Sequence, residues 1–293
     1  RNKLISTPTG ATRDSSFFSN VKDINAMVET EVTKIDRENK RVVAKNLNTG
    51  EESHVPYDKL ILSTGANPIV PNIPGKDLDG ITTLQSMEDA DYLKKVAVEK
   101  NVKNAVVIGG GLIGIETGEA LELAGINITV VEMLDQVLPF LDWEMAKLVQ
   151  NHIESQGVKV MTGSQVTEFV GKNGKVTGVK LASGEVIDTE LAVVSIGVRP
   201  NGKLAEEAGL EVGKKGGVLV NRFMQTNDPD IYAAGDCTEV MNHMTMRPQH
   251  WPMGDAANLQ GRVVAQNVVF GNGKEYEGFV GTGICKIFEF EAG

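Results

Sequence analysis

The residues best placed to do chemistry form one short constellation. Gly109, Gly111 and Gly114 fall in a GxGxxG spacing, and Glu132 follows 18 residues after the last of them. Glycine at the first position permits a tight turn, and at the second it lets backbone approach a diphosphate. At the third it lets a helix pack closely. Unpaired N–H groups from Leu112 and Ile113 at a helix start suit anionic oxygens. A carboxylate at Glu132 suits the two hydroxyls of a ribose and repels a 2′-phosphate. Asp135 adds negative charge, and neither Lys nor Arg occurs between Glu132 and Lys147. The expected ligand is therefore NAD(H) rather than NADP(H). A glycine-rich turn with no ligand is the plainer alternative. Glu116, with Glu119 and Glu122 at three-residue steps, reads as a solvated stripe opposite Ile113, Ala120 and Ala124.

These groups need elements to position them. Asn104–Ile108 reads as a buried strand and the stretch from Gly111 to Ala124 as a helix ended by Gly125. Ile126–Val131 reads as a second strand. A further helix fits Asp142 to Gln156, with Asp142 as cap and Met145, Leu148, Val149 and Ile153 on one face. Around this unit, 32–44 reads as a hairpin with a turn at Asn39-Lys40, extended into a small meander by the turn at Asn48-Thr49-Gly50. Residues 60–65 form a buried strand stopped by Gly65. The proline-bearing 66–80 stretch reads as a connector without an element, and Ser86 as the cap of a helix to about Glu99. Short strands are expected near 158–161, 165–170, 176–181, 191–196, 218–220 and 231–233, and a helix over 254–269. The first thirty residues show little pattern beyond a polar start at Ser6, Thr7, Pro8, Thr9 and Gly10.

Composition bounds the rest. The chain has 293 residues, 41% hydrophobic and 23% charged, which suits about two globular domains. Its net charge of −10 lacks the basic footprint of a nucleic-acid binder. No stretch approaches the roughly 20 apolar residues of a membrane span. The two cysteines, Cys237 and Cys285, make neither a CxxC pair nor a zinc spacing, which suits a reducing cytoplasm. Cys237 reads as buried filler with a redox role as the rival reading, and Cys285 as core. Met241, His243, Met244 and Met246 form a soft-ligand cluster that loop composition explains as well. His250 and Trp251 suit either a pocket wall or packing, and His54 and His152 look ordinary.

Five ordered motifs, Leu60–Gly65, Gly109–Glu116, Ser195–Asn201, Ile231–Asp236 and Pro252–Arg262, give the chain a family likeness. It resembles the FAD- and NAD(P)-dependent pyridine nucleotide–disulfide oxidoreductases, and most the branch of NADH oxidases, CoA-disulfide reductases and persulfide/polysulfide reductases. The resemblance implies an α/β fold of two Rossmann-like dinucleotide-binding domains with inserted antiparallel meanders. It implies that Thr64 and Gly65 lie beside FAD, that Asp236 after Gly235 bonds the ribityl chain, and that Met253 and Gly254 approach the flavin ring. Glu116 would sit near the nicotinamide and Gly197 beside the bound NAD. The family's N-terminal FAD fingerprint and redox cysteine have no counterpart before Gly109 and Cys237 respectively, so no catalytic residue is assigned. The expectation is a piece of a longer flavoenzyme with an incomplete FAD domain, holding FAD weakly or not at all. Its division would be 1–100 and 219–274 for FAD, 101–218 for NAD(H), and 275–293 as the start of a dimerisation domain. NADH would pass hydride to flavin and on to a disulfide, a persulfide or polysulfide, or oxygen, in a cytoplasmic protein whose full-length parent is a homodimer. Alternatives are a reductase of a protein carrier of the rubredoxin, ferredoxin or nitrite-reductase type, and a non-catalytic NAD-binding module.

Overall fold

The computed structural model describes residues 6, 7, 10, 12–99 and 101–293. Of the polar start, Pro8 and Thr9 lie outside them. Helix α1 (Ser15–Lys22) is capped by Asp14, whose side chain accepts from the Phe17 N–H, and it buries no residue. Strands β1 (Thr30–Asp36), β2 (Arg41–Asn46) and β3 (Glu52–Pro56) form the antiparallel meander, turning at Lys40 and at Gly50, both with positive φ. Strands β4 (Leu60–Leu62), β5 (Ala66–Pro68) and β6 (Ile81–Thr82) follow, then α2 (Met87–Glu99). The start of α2 is a reciprocal cap: Asp89 N donates to Ser86 Oγ and Ser86 N to Asp89 Oδ2, both at 3.1 Å.

The glycine turn lies between β7 (Asn104–Ile108) and α3 (Leu112–Leu123), followed by β8 (Asn127–Val131), α4 (Trp143–Ser155) and β9 (Lys159–Met161). A second meander, β10 (Val166–Lys172), β11 (Lys175–Leu181) and β12 (Val186–Asp188), precedes β13 (Leu191–Val194) and β14 (Val198–Pro200). Strands β6, β13, β7, β8 and β9, in that order, make one fully parallel sheet. Alternate residues of β7 point to opposite faces. Ala105 and Val107 join Ile115, Leu121, Val149 and Ile153 under α3 and α4, while Val106 and Ile108 join Phe169, Val179 and Leu181 of the meander. Both faces are covered, which is why the strand reads as an unbroken apolar run.

The remainder holds α5 (Lys203–Glu207), β15 (Val218–Leu219), β16 (Ile231–Ala233), β17 (Thr238–Asn242), β18 (Arg247–His250), α6 (Gly254–Phe270), β19 (Cys285–Ile287) and β20 (Phe290–Ala292). Strand β16 pairs in parallel with β4, and its Tyr232 also forms an antiparallel bridge with Gln225. The β19–β20 hairpin buries Cys285, Ile287 and Ala292 in the same core as α3 and α4, and Phe288 and Phe290 flank His152.

Several expectations change. The 66–80 stretch is not free of elements: β5 pairs antiparallel with β14, and Pro68 is tolerated because this is a two-stranded ribbon with open edges. Helix α4 buries Ala146, Val149 and Ile153, while Met145 and Leu148 are exposed. The buried stripe runs along 146, 149 and 153, and Met145 and Leu148 each sit one step of 100° behind it. Asp142 occupies the cap position without a side-chain bond. On α3 the buried stripe is Gly114, Ile115, Thr117, Gly118 and Leu121, so Ile113 and Ala120 face outward. Small residues let α3 press on the sheet, with Gly118 facing Ile128 and Val130. Met241, His243, Met244 and Met246, read as loop, lie on the β17–β18 hairpin and its turn.

Candidate functional site

The first site lies where β7 ends. Gly109 has φ +110°, and a Cβ there would stand 2.4 Å from the Ser195 carbonyl oxygen. A Cβ on Gly114 would stand 2.0 Å from the Gly109 carbonyl oxygen, so the third glycine seats α3 against the turn itself. Gly111 is the cap of α3, and its missing Cβ faces open space, which is the room a diphosphate needs beside the helix start. Glu132 is buried; its Oε2 accepts from Gly110 N at 2.6 Å and its Oε1 from Leu134 N at 2.8 Å. Ser195 holds the far side, donating through Oγ to Ile108 O at 3.0 Å. Gly197 has φ +115°, and its carbonyl accepts from Ile69 N. Nothing local singles out Ser195 within its motif, since it ties one strand end to another across 87 residues.

Glu116 stands apart from the loop glycines. It is exposed and lines a groove of about 470 Å³ between α2 and α3, with Leu84, Leu93, Lys94 and Ile113.

The second site lies at the parallel ends of β4 and β16, where open α/β sheets bind ligands. There the Thr64-Gly65 and Gly235-Asp236 turns come side by side, joined by a bond from Ala234 N to Leu62 O. Side chains from afar fix both turns. Thr64 Oγ1 donates to Asn201 O at 2.7 Å, and Asn201 Nδ2 donates back to Thr64 O at 2.9 Å. Gly235 N donates to the buried Gln260 Oε1 at 2.7 Å. His250 Nε2 sits 2.8 Å from the Asp236 carbonyl oxygen, so Nε2 carries the proton in this contact. Trp251 stacks on Phe279 with centroids 4.8 Å apart, and its carbonyl accepts from Met253 N, the cap residue of α6. His250 and Trp251 thus brace the two backbone stretches that the motifs single out. Space is open beside Gly65 and Gly254. A cavity of about 820 Å³ reaches Thr64 from the β5–β14 ribbon, with Arg199 and Lys203 on its wall.

Neither cysteine offers a thiol to solvent. Cys237 is fully buried with Sγ near the Leu62 and Ala234 carbonyls, and Cys285 is buried with Sγ near Ala292 O. Burial pushes the Cys285 thiol up, and the Glu116 charge adds to it. Among the described residues no group of three or more His, Cys, Asp or Glu is placed to hold a metal ion, and no helix is long and apolar enough to cross a membrane.

Known proteins share this arrangement. The chain is 38% identical to an NADH oxidase of Methanocaldococcus jannaschii over 277 residues, 94% of this chain and 61% of that one. It is 38% identical to a rubredoxin-NAD(+) reductase of Pseudomonas putida over 231 residues, 78% of this chain and 57% of that one. The solved structure of an NAD-dependent persulfide reductase from A. fulgidus superposes with a TM-score of 0.95 at 40% identity, covering 99% of this chain and 53% of its own. The chain thus spans about six-tenths of the length of these curated relatives. The model of the pyridine nucleotide-disulphide oxidoreductases matches residues 4–257. With that match over most of its length, the chain belongs to the pyridine nucleotide-disulphide oxidoreductase family.

Proposed function

We propose that the chain forms the nucleotide-handling part of an NADH-dependent FAD flavoprotein oxidoreductase whose final acceptor is a disulfide, a persulfide or polysulfide, or oxygen. The observation that carries this reading is the glycine turn at the end of β7, open at Gly111 and faced by the Glu132 carboxylate. In this reading the N–H groups of Leu112 and Ile113 hold the diphosphate, Glu132 holds the adenosine ribose, and Gly197 borders the dinucleotide. Glu116 acts near the nicotinamide. Thr64, Gly65, Gly235 and Asp236 hold the flavin's chain, and the α6 start at Met253 and Gly254 faces its ring, where a helix N-terminus favours negative charge. FAD bound there would supply the two-electron acceptor for hydride from NADH. The open space beside Gly65 and Gly254 fits that placement.

By packing, Ile73, Leu78, β6, α2 and the β19–β20 hairpin count with the nucleotide unit, while Ala205, Leu210 and Val218 pack with β1, β2, β4 and β16 on the flavin side. The complete protein would be a cytoplasmic homodimer, on the strength of the family likeness. A second reading is a reductase of a protein electron carrier. The likeness to a rubredoxin reductase and the burial of both cysteines favour it.

The test is a titration with NADH and NADPH, then NADH oxidation with added FAD and an artificial acceptor, a disulfide, a polysulfide or oxygen. The reading expects NADH to bind at least about tenfold better than NADPH and turnover to require FAD. Firm NADH binding without turnover under any of these conditions would leave a non-catalytic NAD-binding module.

A further inference from the structure

We propose that Glu132 is a positioning residue for the diphosphate loop as well as a ribose ligand. This rests on the glycine turn being the NADH site. An ionised carboxylate offers about four acceptor positions. Here two are already taken by backbone: Gly110 N on Oε2 and Leu134 N on Oε1. One position on each oxygen remains, which matches the two hydroxyls of a ribose.

The bonded partner is what matters. Gly110 is the middle residue of the turn, between the glycine that reverses the chain and the one that caps α3. Its N–H goes to Glu132, and its carbonyl accepts from Leu138 N at 2.8 Å. The 132–138 loop therefore grips two successive peptides, 109–110 through its N–H and 110–111 through its carbonyl. That loop is itself anchored, because Val137 and Leu138 are fully buried and Glu132 N donates to Met161 O of β9. A Cβ on Gly110 would meet Val137 at 3.0 Å and Glu132 at 3.2 Å, so the grip is close. The carboxylate thus fixes the 109–110 peptide while Leu138 N fixes the 110–111 peptide, and together they orient the N–H groups that follow and receive the diphosphate.

A residue acting only on the ribose and one that also sets the loop differ in what they do to a ligand without ribose hydroxyls. The measurement is binding of ADP and of 2′,3′-dideoxy-ADP, each displacing NADH, to the full chain and to Glu132→Gln. The glutamine keeps one acceptor oxygen but presents an NH₂ to the other N–H. We expect the variant to weaken dideoxy-ADP by about tenfold and ADP by more. Amide hydrogen exchange should quicken at Gly110 and Leu134 while Val106 and Val107 stay protected. Dideoxy-ADP affinity within twofold of the original, or unchanged exchange at Gly110, would overturn the proposal. Should Glu132→Gln not fold, Glu132→Asp carries the same test, since the shorter side chain cannot span both N–H groups. If the original chain binds neither NADH nor ADP, the functional reading fails, and the exchange experiment alone still decides whether the clamp exists. For coenzyme preference, neutralising Glu132 lifts the repulsion of a 2′-phosphate yet slackens the loop, so both coenzymes bind more weakly.

Discussion

The chain holds two strand-to-turn sites built by different means. At the end of β7 the strand lies third in a five-stranded parallel sheet with both faces covered, and the turn is shaped by glycines and by the loop of Glu132. At the end of β4 the strand has one partner, and Ile61 on it is 44% exposed. There the turns are held by side chains: Asn201, 137 residues from Thr64, and Gln260 and His250, 25 and 14 residues from the turn residues they bond. A site inside a complete sheet inherits its shape from the sheet. A site on a two-stranded sheet depends on a few hydrogen bonds, each worth about 1 kcal/mol. The first should be rigid and separable; the second should yield to single side-chain changes.

The largest expected effect tests the rigid site. Gly109→Ala places a Cβ against the Ser195 carbonyl at a φ that L residues avoid. Overpacking of about 1–3 kcal/mol and αL strain of about 1–2 kcal/mol add, and NADH binding should vanish. Thermal unfolding and NADH fluorescence read this out; a variant that keeps NADH affinity would refute the role of the turn.

Next come two strand positions. Val107→Ala, fully buried in β7, should cost about 2 kcal/mol, while Ile61→Thr in β4 should stay within about 0.5 kcal/mol. Equal losses in denaturant unfolding would mean that β4 is as enclosed as β7 and would remove the contrast.

The same contrast decides what the sequence could reveal. The β7–turn–α3–β8 unit and Glu132 were legible because their determinants are local: an apolar run, spaced glycines and an acid at a strand end. Helix α6 was legible for the same reason. The buried stripe of α3 was not, because Gly114 and Gly118 carry no hydropathy signal while doing the packing. The β5–β14 ribbon was hidden because its partners lie over 130 residues apart and two of its six residues are prolines. The docking of Ile287 and Ala292 against α3 and α4 depends on tertiary contacts that no local pattern announces. On the second site the motif residues were readable, but the groups that hold them, Gln260 and Asn201, were not distinguished from ordinary polar residues.

Gln260→Leu probes that holding directly. It leaves Gly235 N without its acceptor, and because Gly235 is half-buried, water compensates in part, so the cost should be about 1 kcal/mol. FAD uptake should weaken while the NADH dissociation constant stays the same. A matching loss of NADH affinity would show that the two sites are coupled rather than separable.

The smallest effect comes from charge. Arg37–Asp228, Lys40–Asp230 and Lys59–Asp230 tie the β1–β3 meander to the approach of β16. Asp230 is held below the ordinary carboxylate range by the Lys40 and Lys59 ammonium groups, and Asp36 is held at about 2 by bonds from Asn39 and Arg41. Carboxyls with a depressed pKa stabilise the fold above their unfolded values near 4 and lose that contribution as pH falls toward 2. These carboxylates are half-buried and reached by solvent on the side of their cations, so salt screens them in part. Between pH 5 and pH 2, or on adding salt, amide exchange at Val42 and Ala44 should quicken severalfold at most, ahead of Val106 and Val107. On the β7 side the pairs are the looser Lys159–Glu185 at 4.0 Å and Lys180–Glu168 at 3.3 Å, so acid should loosen the β4 side first. Simultaneous opening of both regions would show one cooperative unit in place of a rigid site and a yielding one.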